Sequence, residues 1–190
     1  MMPGGDTLHR RSIRLPGYDY GKAGAYFVTM VTAGRQCLFG QIVDGEMQLG
    51  ALGQIARQQW LRLLARFVCL ELGTFVVMPN HVHGILIIHD HRGGTAGELV
   101  ENDVEIPRRA RTERFGKPVP HSIPTIIRSY KSAVAYRIHL VRGAAETVVW
   151  QRNYYEHIIR DPREWERIHL YIDSNPVRWS QDKVHPSIRL

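Results

Sequence analysis

Acidic residues are in short supply: 18 Asp and Glu stand against 25 Lys and Arg, and the 190-residue chain carries a formal charge of +7. The shortfall favours a polyanionic partner, nucleic acid first and an anionic membrane surface second. Cysteine is scarcer still. Cys37 and Cys69 are the only two, and neither has a metal-ligand spacing. A disulfide framework and a cysteine-based zinc site are therefore excluded. Each lies in an apolar context and is expected to be a reduced core residue of a cytoplasmic protein. No apolar run is long enough to span a bilayer. Residues 1–14 are polar and basic and lack the apolar core of a signal peptide. No Walker-type glycine-rich loop occurs, so nothing points to nucleotide hydrolysis.

What is present centres on residues 76–88, Val-Val-Met-Pro-Asn-His-Val-His-Gly-Ile-Leu-Ile-Ile. Two apolar runs flank Pro79-Asn80 and read as strands joined by a turn. Alternate strand residues share a face, so His81 and His83 point one way and Val82 the other. Two such imidazoles suit a divalent metal if a third ligand comes from elsewhere. The pair by itself is equally compatible with hydrogen-bonded structural histidines. Ile85 and Ile87 continue the histidine face, and Leu86 and Ile88 the opposite one. With both faces apolar, this strand is expected inside the sheet. His89 and His91 repeat the spacing, but they sit at a strand end beside Gly93-Gly94, without a rigid surround.

The 190 residues fit one domain. Residues 1–20 read as a basic arm, 89–121 as a flexible insert rich in Gly, Pro and charge, and 177–190 as a basic tail with Trp179 as anchor. Between them, residues 25–32 read as a strand and 39–49 as a hairpin about Asp44-Gly45. A helix is expected from Gly50 to about Phe67, with Leu52, Ile55, Gln59, Leu63 and Phe67 as its apolar stripe. A second should start at Ser122 and end at Gly143, with the stripe Ile123, Ile127, Tyr130, Val134, Ile138 and Val141. Residues 147–159 return to strand composition in their second half. Asp161-Pro162-Arg163-Glu164 then starts a last helix, buried through Trp165, Ile168 and Ile172 and stopped near Asn175 by Pro176. The order β-α-β-β-α-β-α matches an α+β, ferredoxin-like antiparallel sheet with an added C-terminal helix.

That last helix carries Tyr171 and, four residues on, Asn175, on one side. If it covers the face bearing His81 and His83, a phenol and a carboxamide join two imidazoles around one metal. Such a metal polarises a phosphodiester as a Lewis acid, and the tyrosine is placed to attack phosphorus. With eight tyrosines in the chain, simple packing at a helix–sheet interface is the competing reading. Tyr130 is a second candidate nucleophile, but Val134 four residues on cannot bind metal. Tyr154 and Tyr155 suit packing or base stacking. Glu156 and His157 read as structural.

Four motifs, in order, carry a resemblance to a known family. They are Gly-Ala-Tyr-Phe-Val-Thr (24–29), Val-Val-Met-Pro-Asn-His-Val-His-Gly (76–84), Trp-Gln-Arg-Asn-Tyr-Tyr-Glu-His-Ile-Ile-Arg (150–160) and Tyr-Ile-Asp-Ser-Asn-Pro-Val (171–177). From about Arg10 to Trp179 the chain resembles the REP-associated tyrosine transposases, a branch of the single-tyrosine HUH transposases. The resemblance implies a divalent ion (Mg or Mn) on His81 and His83, with Tyr171 as nucleophile. It also implies single-stranded DNA with hairpins or palindromic repeats as substrate. Relatives often carry Gln as third ligand, where this chain has the shorter Asn175. Contacts to DNA are expected from Arg10, Arg11, Arg14, Arg128, Lys131 and Arg152. A domesticated nucleic-acid-binding protein without catalysis, or a hydrolase using activated water, are the rival readings. Both a monomer and a homodimer are compatible with the sequence.

Overall fold

The computed structural model describes residues 19–90, 119–143 and 147–188. Strand β1 (Gly24–Val31) is followed by a hairpin, β2 (Gly40–Val43) and β3 (Glu46–Leu49). Its turn residues Asp44 and Gly45 both have positive φ, 50° and 80°, as a tight right-twisted hairpin requires. Helices α1 (Ala51–Leu61) and α2 (Leu63–Arg66) come next, then β4 (Leu70–Val77), β5 (His81–Ile88), α3 (Ile123–Arg142), β6 (Tyr155–Ile159) and α4 (Pro162–Asp173). Four strands form one antiparallel sheet in the order β4-β5-β1-β6. β5 is thus internal, as its two apolar faces require. The expected insert lies mostly in 91–118, and the arm in 1–18, outside the described residues.

Two layers cover the sheet. α1 and α3 pack on the face carrying Tyr26, Val28, Met30, Val82 and Leu86. α4 packs on the other through Ile168 and Ile172 against Phe27 and Ile85. Local chemistry accounts for the helix ends. Ser122 stands at the N-cap position of α3 with its hydroxyl donating to the Val119 carbonyl instead of capping, Pro124 sits in the first turn, and Gly143 closes the helix in the left-handed region. At α4 the Asp161 side chain accepts from the Glu164 amide at 2.8 Å, and Pro162 follows at the first position.

Three local expectations need correction, and a fourth is extended. The first helix breaks at Arg62. Its buried side keeps Gln59, Leu63 and Phe67 of the expected stripe, with Leu52 and Ile55 partly buried against the core, but it centres on Ala56 and the completely buried Trp60, which the stripe omitted. Trp60 packs over Gly84, where a Cβ would stand 2.4 Å from the indole, so only glycine lets the two elements approach this closely. Val141, in the last turn of α3, is exposed, and the buried stripe of that helix ends at Ile138. Cys37 is exposed in a loop, while Cys69 is buried as expected.

Candidate active site

The turn before β5 is closed by the Met78 amide donating to the His81 carbonyl at 2.8 Å. It leaves Asn80 fully buried. The Asn80 amide nitrogen donates to the carbonyls of Arg35 (3.1 Å) and Val184 (2.8 Å). That fixes its orientation, so its oxygen accepts from His81 Nδ1 at 2.8 Å. On the neighbouring strand Thr29 Oγ1 pairs with His83 Nδ1 at 2.7 Å. Both rings therefore have Nδ1 occupied and turn Nε2 inward, the arrangement by which a neighbouring group orients a ligating histidine. The ring centroids are 4.4 Å apart.

Two elements distant in sequence converge on these nitrogens. α4 brings the Tyr171 hydroxyl to 3.3 Å from His83 Nε2. The phenol stands edge-on to Phe27, whose ring stacks on His83. Just beyond the helix end, Asn175 is buried. The segment after Pro176, expected as a basic tail, instead folds back over the histidines. Trp179 lies 5.9 Å from His81, ring to ring, and Arg35 donates to the Ile188 carbonyl at 2.8 Å. This return delivers Asp182, with Oδ2 3.8 Å from His81 Nε2 and 3.9 Å from His83 Nε2. Asn175 Nδ2 donates to the same oxygen at 3.0 Å, and Asp182 Oδ1 accepts from the Val184 amide at 2.8 Å.

Among the described residues, His81, His83 and Asp182 form a group able to hold a metal ion. Fit can be judged from unanswered atoms. His81 Nε2 and Asn175 Oδ1 are both buried without a hydrogen-bond partner, a costly state for polar atoms unless something fills the gap. Burial, and then the charge of His83, push the His81 imidazolium well below its usual range. Burial does the same to His83. Burial alone would raise Asp182, but His83, the Val184 amide, His81 and Asn175 outweigh it and hold the carboxyl below the usual range. Two neutral imidazoles, one carboxylate and one amide oxygen suit a divalent cation, and the carbonyl end of α4 favours positive charge at the same place. Burial, and then the Asp182 charge, push the Tyr171 phenol up to about 12.

The other expected site residues fall elsewhere. Tyr130 is fully buried against Trp60, and its hydroxyl donates to the Ala56 carbonyl at 3.2 Å. Burial pushes its phenol far up, which leaves it no route to a phosphate. Arg128 and Lys131 lie on α3, across the sheet from the histidines. Lys131 Nζ donates to the carbonyls of Gln151, Arg152 and Asn153. Arg152 is exposed just before β6, while Arg10, Arg11 and Arg14 lie outside the described residues. His89 pairs with Glu71 at 2.8 Å on the surface, and His91 also lies outside the described residues. Sequence reasoning missed Asp182. The one available signal was its isolation, as the sole acidic residue after Asp173 in a basic segment.

No protein-family model matches the chain. An uncharacterized protein of Haemophilus influenzae is 38% identical over 179 residues, covering 93% of each chain. Among solved structures, a REP-associated tyrosine transposase bound to a REP hairpin aligns with a TM-score of 0.53 and 20% identity. That alignment covers 85% of this chain and 72% of the other. The chain therefore belongs to one family with the Haemophilus influenzae protein, and it shares its fold with the REP-associated tyrosine transposase, the group its motifs resemble.

Proposed function

We propose that the protein is a transposase of the single-tyrosine type, which cuts single-stranded DNA beside a hairpin and rejoins it to another end. The strand order β4-β5-β1-β6 supports the ferredoxin-like reading of the sheet, with α4 as the added helix that carries the nucleophile. One observation bears most of the weight: the Tyr171 hydroxyl stands 3.3 Å from His83 Nε2, at the edge of the His81, His83 and Asp182 group. Tyr171 remains 38% exposed, so a DNA strand has access to it.

His81, His83, Asp182 and the oxygen of Asn175 would hold a divalent ion, magnesium or manganese, which supplies Lewis-acid polarisation of the scissile phosphate. The chain's own residues do the rest. Thr29 and Asn80 fix the imidazoles. Phe27 sets the plane of the Tyr171 ring. The Tyr171 oxygen attacks phosphorus, a Tyr–O–P bond forms, and the bond from phosphorus to the 3′ oxygen breaks. The departing strand leaves as a free 3′-hydroxyl, taking up the proton that the phenol lost. A second 3′-hydroxyl then attacks the phosphotyrosine, regenerates the phenol and seals the new junction. One phosphodiester is exchanged for another, so no nucleotide hydrolysis is needed.

Purified protein incubated with a hairpin oligonucleotide carrying single-stranded flanks and manganese should give a covalent adduct resolved on a denaturing gel. Tyr171→Phe should remove it entirely. Cleavage without an adduct that persists in Tyr171→Phe but fails in His81→Ala would assign the chemistry to water. Hairpin binding with neither cleavage nor adduct would assign the protein to the non-catalytic class.

A further inference from the structure

Among the described residues the exposed features include the apolar residues of α3, a cluster of Thr74, His169 and Asp173, the surface pair of Glu71 and His89, and the outer strand β6. Only β6 adjoins the candidate site while remaining open. Its register places Tyr155 opposite Thr29, His157 opposite Phe27 and Ile159 opposite Ala25. Thr29 is in turn opposite His83 on β5. Tyr155, Thr29 and His83 therefore lie in one row across the sheet and on one face, with Tyr155 two strand spacings, ~10 Å, from the histidine.

α4 leaves β6 at its Ile159 end, where Glu164 accepts from the Arg160 amide at 2.9 Å and pairs with His157 at 2.6 Å. The opposite end of the strand is left uncovered. Tyr155 is 53% exposed, yet its ring is held, edge-on to Phe27 at 6.2 Å. Phe27 stacks on His83 and meets Tyr171 edge-on at 6.0 Å. One buried phenylalanine thus braces both the proposed nucleophile and the exposed tyrosine. Arg152, three residues before Tyr155, is exposed at this open end, within a chain of formal charge +7.

We propose that Tyr155 is a stacking platform for a base of the single strand next to the scissile phosphate, with exposed Arg152 at the same open end of the strand available to its phosphates. This inference rests on the proposed function and adds the surface that holds the strand. A half-exposed aromatic ring braced at its edge, within a basic chain, is the chemistry by which unpaired nucleic acid is held without regard to sequence. A duplex cannot use it, because its bases are already stacked on one another.

The test uses Tyr171→Phe protein, which should bind substrate without cutting it, and a hairpin oligonucleotide with 2-aminopurine placed at each flank position in turn. Fluorescence should be quenched at one flank position. Adding Tyr155→Ala should abolish that quenching and weaken binding roughly 5- to 100-fold, and Tyr155→Phe should preserve both. Double-stranded competitor should not reproduce the effect. Equal binding and quenching in Tyr155→Ala would overturn the inference and leave the proposed function intact. Loss of a dimer on a sizing column, with DNA binding unchanged, would assign this face to a second copy and also overturn it. If Tyr155-intact protein binds no single strand at all, the proposed function itself falls.

Discussion

Asp182 sits where two imidazoles and an amide answer one carboxylate oxygen, and it decides how complete the candidate site is. Asn175 is one methylene shorter than glutamine and offers only a neutral oxygen, left unpartnered while its nitrogen donates to Asp182 Oδ2, so it alone makes a weaker third ligand than a carboxylate. Asp182 supplies the anionic oxygen that the histidine pair lacks. Asp182→Ala should therefore weaken manganese binding by at least 10- to 100-fold, as measured by calorimetry, with Asn175→Ala costing less. The reverse ranking would return the third position to Asn175. The histidines, Tyr171 and Asn175 could be read from strand parity and helix spacing, because both are local periodicities. Asp182 could not. It reaches the site through an irregular return held by Asn80 and Arg35, and no period encodes a chain reversal.

At the scale of elements, the approach of α1 to β5 depends on the absence of a side chain at Gly84. Its missing Cβ admits the Trp60 indole, which also stacks on Phe75 and meets Tyr130 edge-on. Gly84→Ala would force the indole or the strand to move. It should destabilise the fold by about 1–3 kcal/mol, the usual cost of overpacking a dense core. A denaturant titration would read this as a lowered midpoint with unchanged slope. No loss would mean that the indole has room to shift. Gly84 is one residue from His83, so the same substitution should also weaken metal binding if the strand moves rather than the ring. The elements themselves were legible because their ends carry explicit chemistry, such as Pro124 and Gly143 for α3 and Asp161 with Pro162 for α4. The inward side of the first helix was legible in Gln59, Leu63 and Phe67, but its main anchor was not. Trp60 becomes the anchor only through Gly84, a residue on another element.

For the whole molecule, the candidate site joins three stretches distant in sequence: β5, the end of α4 and the return that carries Asp182. Its ligand set exists only when all three are folded together. A cation held there binds the native state and, lacking an assembled site in the unfolded chain, leaves that state almost untouched. Mass action then stabilises the protein by ~2.7 kcal/mol at a concentration a hundred times the dissociation constant. For a chain of this size that is about 5–10 °C in Tm. Manganese should produce the shift in wild type and in Tyr171→Phe alike, since the phenol belongs to the chemistry and not to the ligand set. His81→Ala should lose it, because one Nε2 is removed and the other imidazole is left beside a gap. An equal shift in His81→Ala would place the bound cation elsewhere, and a shift lost in Tyr171→Phe would make the phenol itself a ligand. The same scan therefore separates the residues that hold the cation from the one proposed to attack beside it.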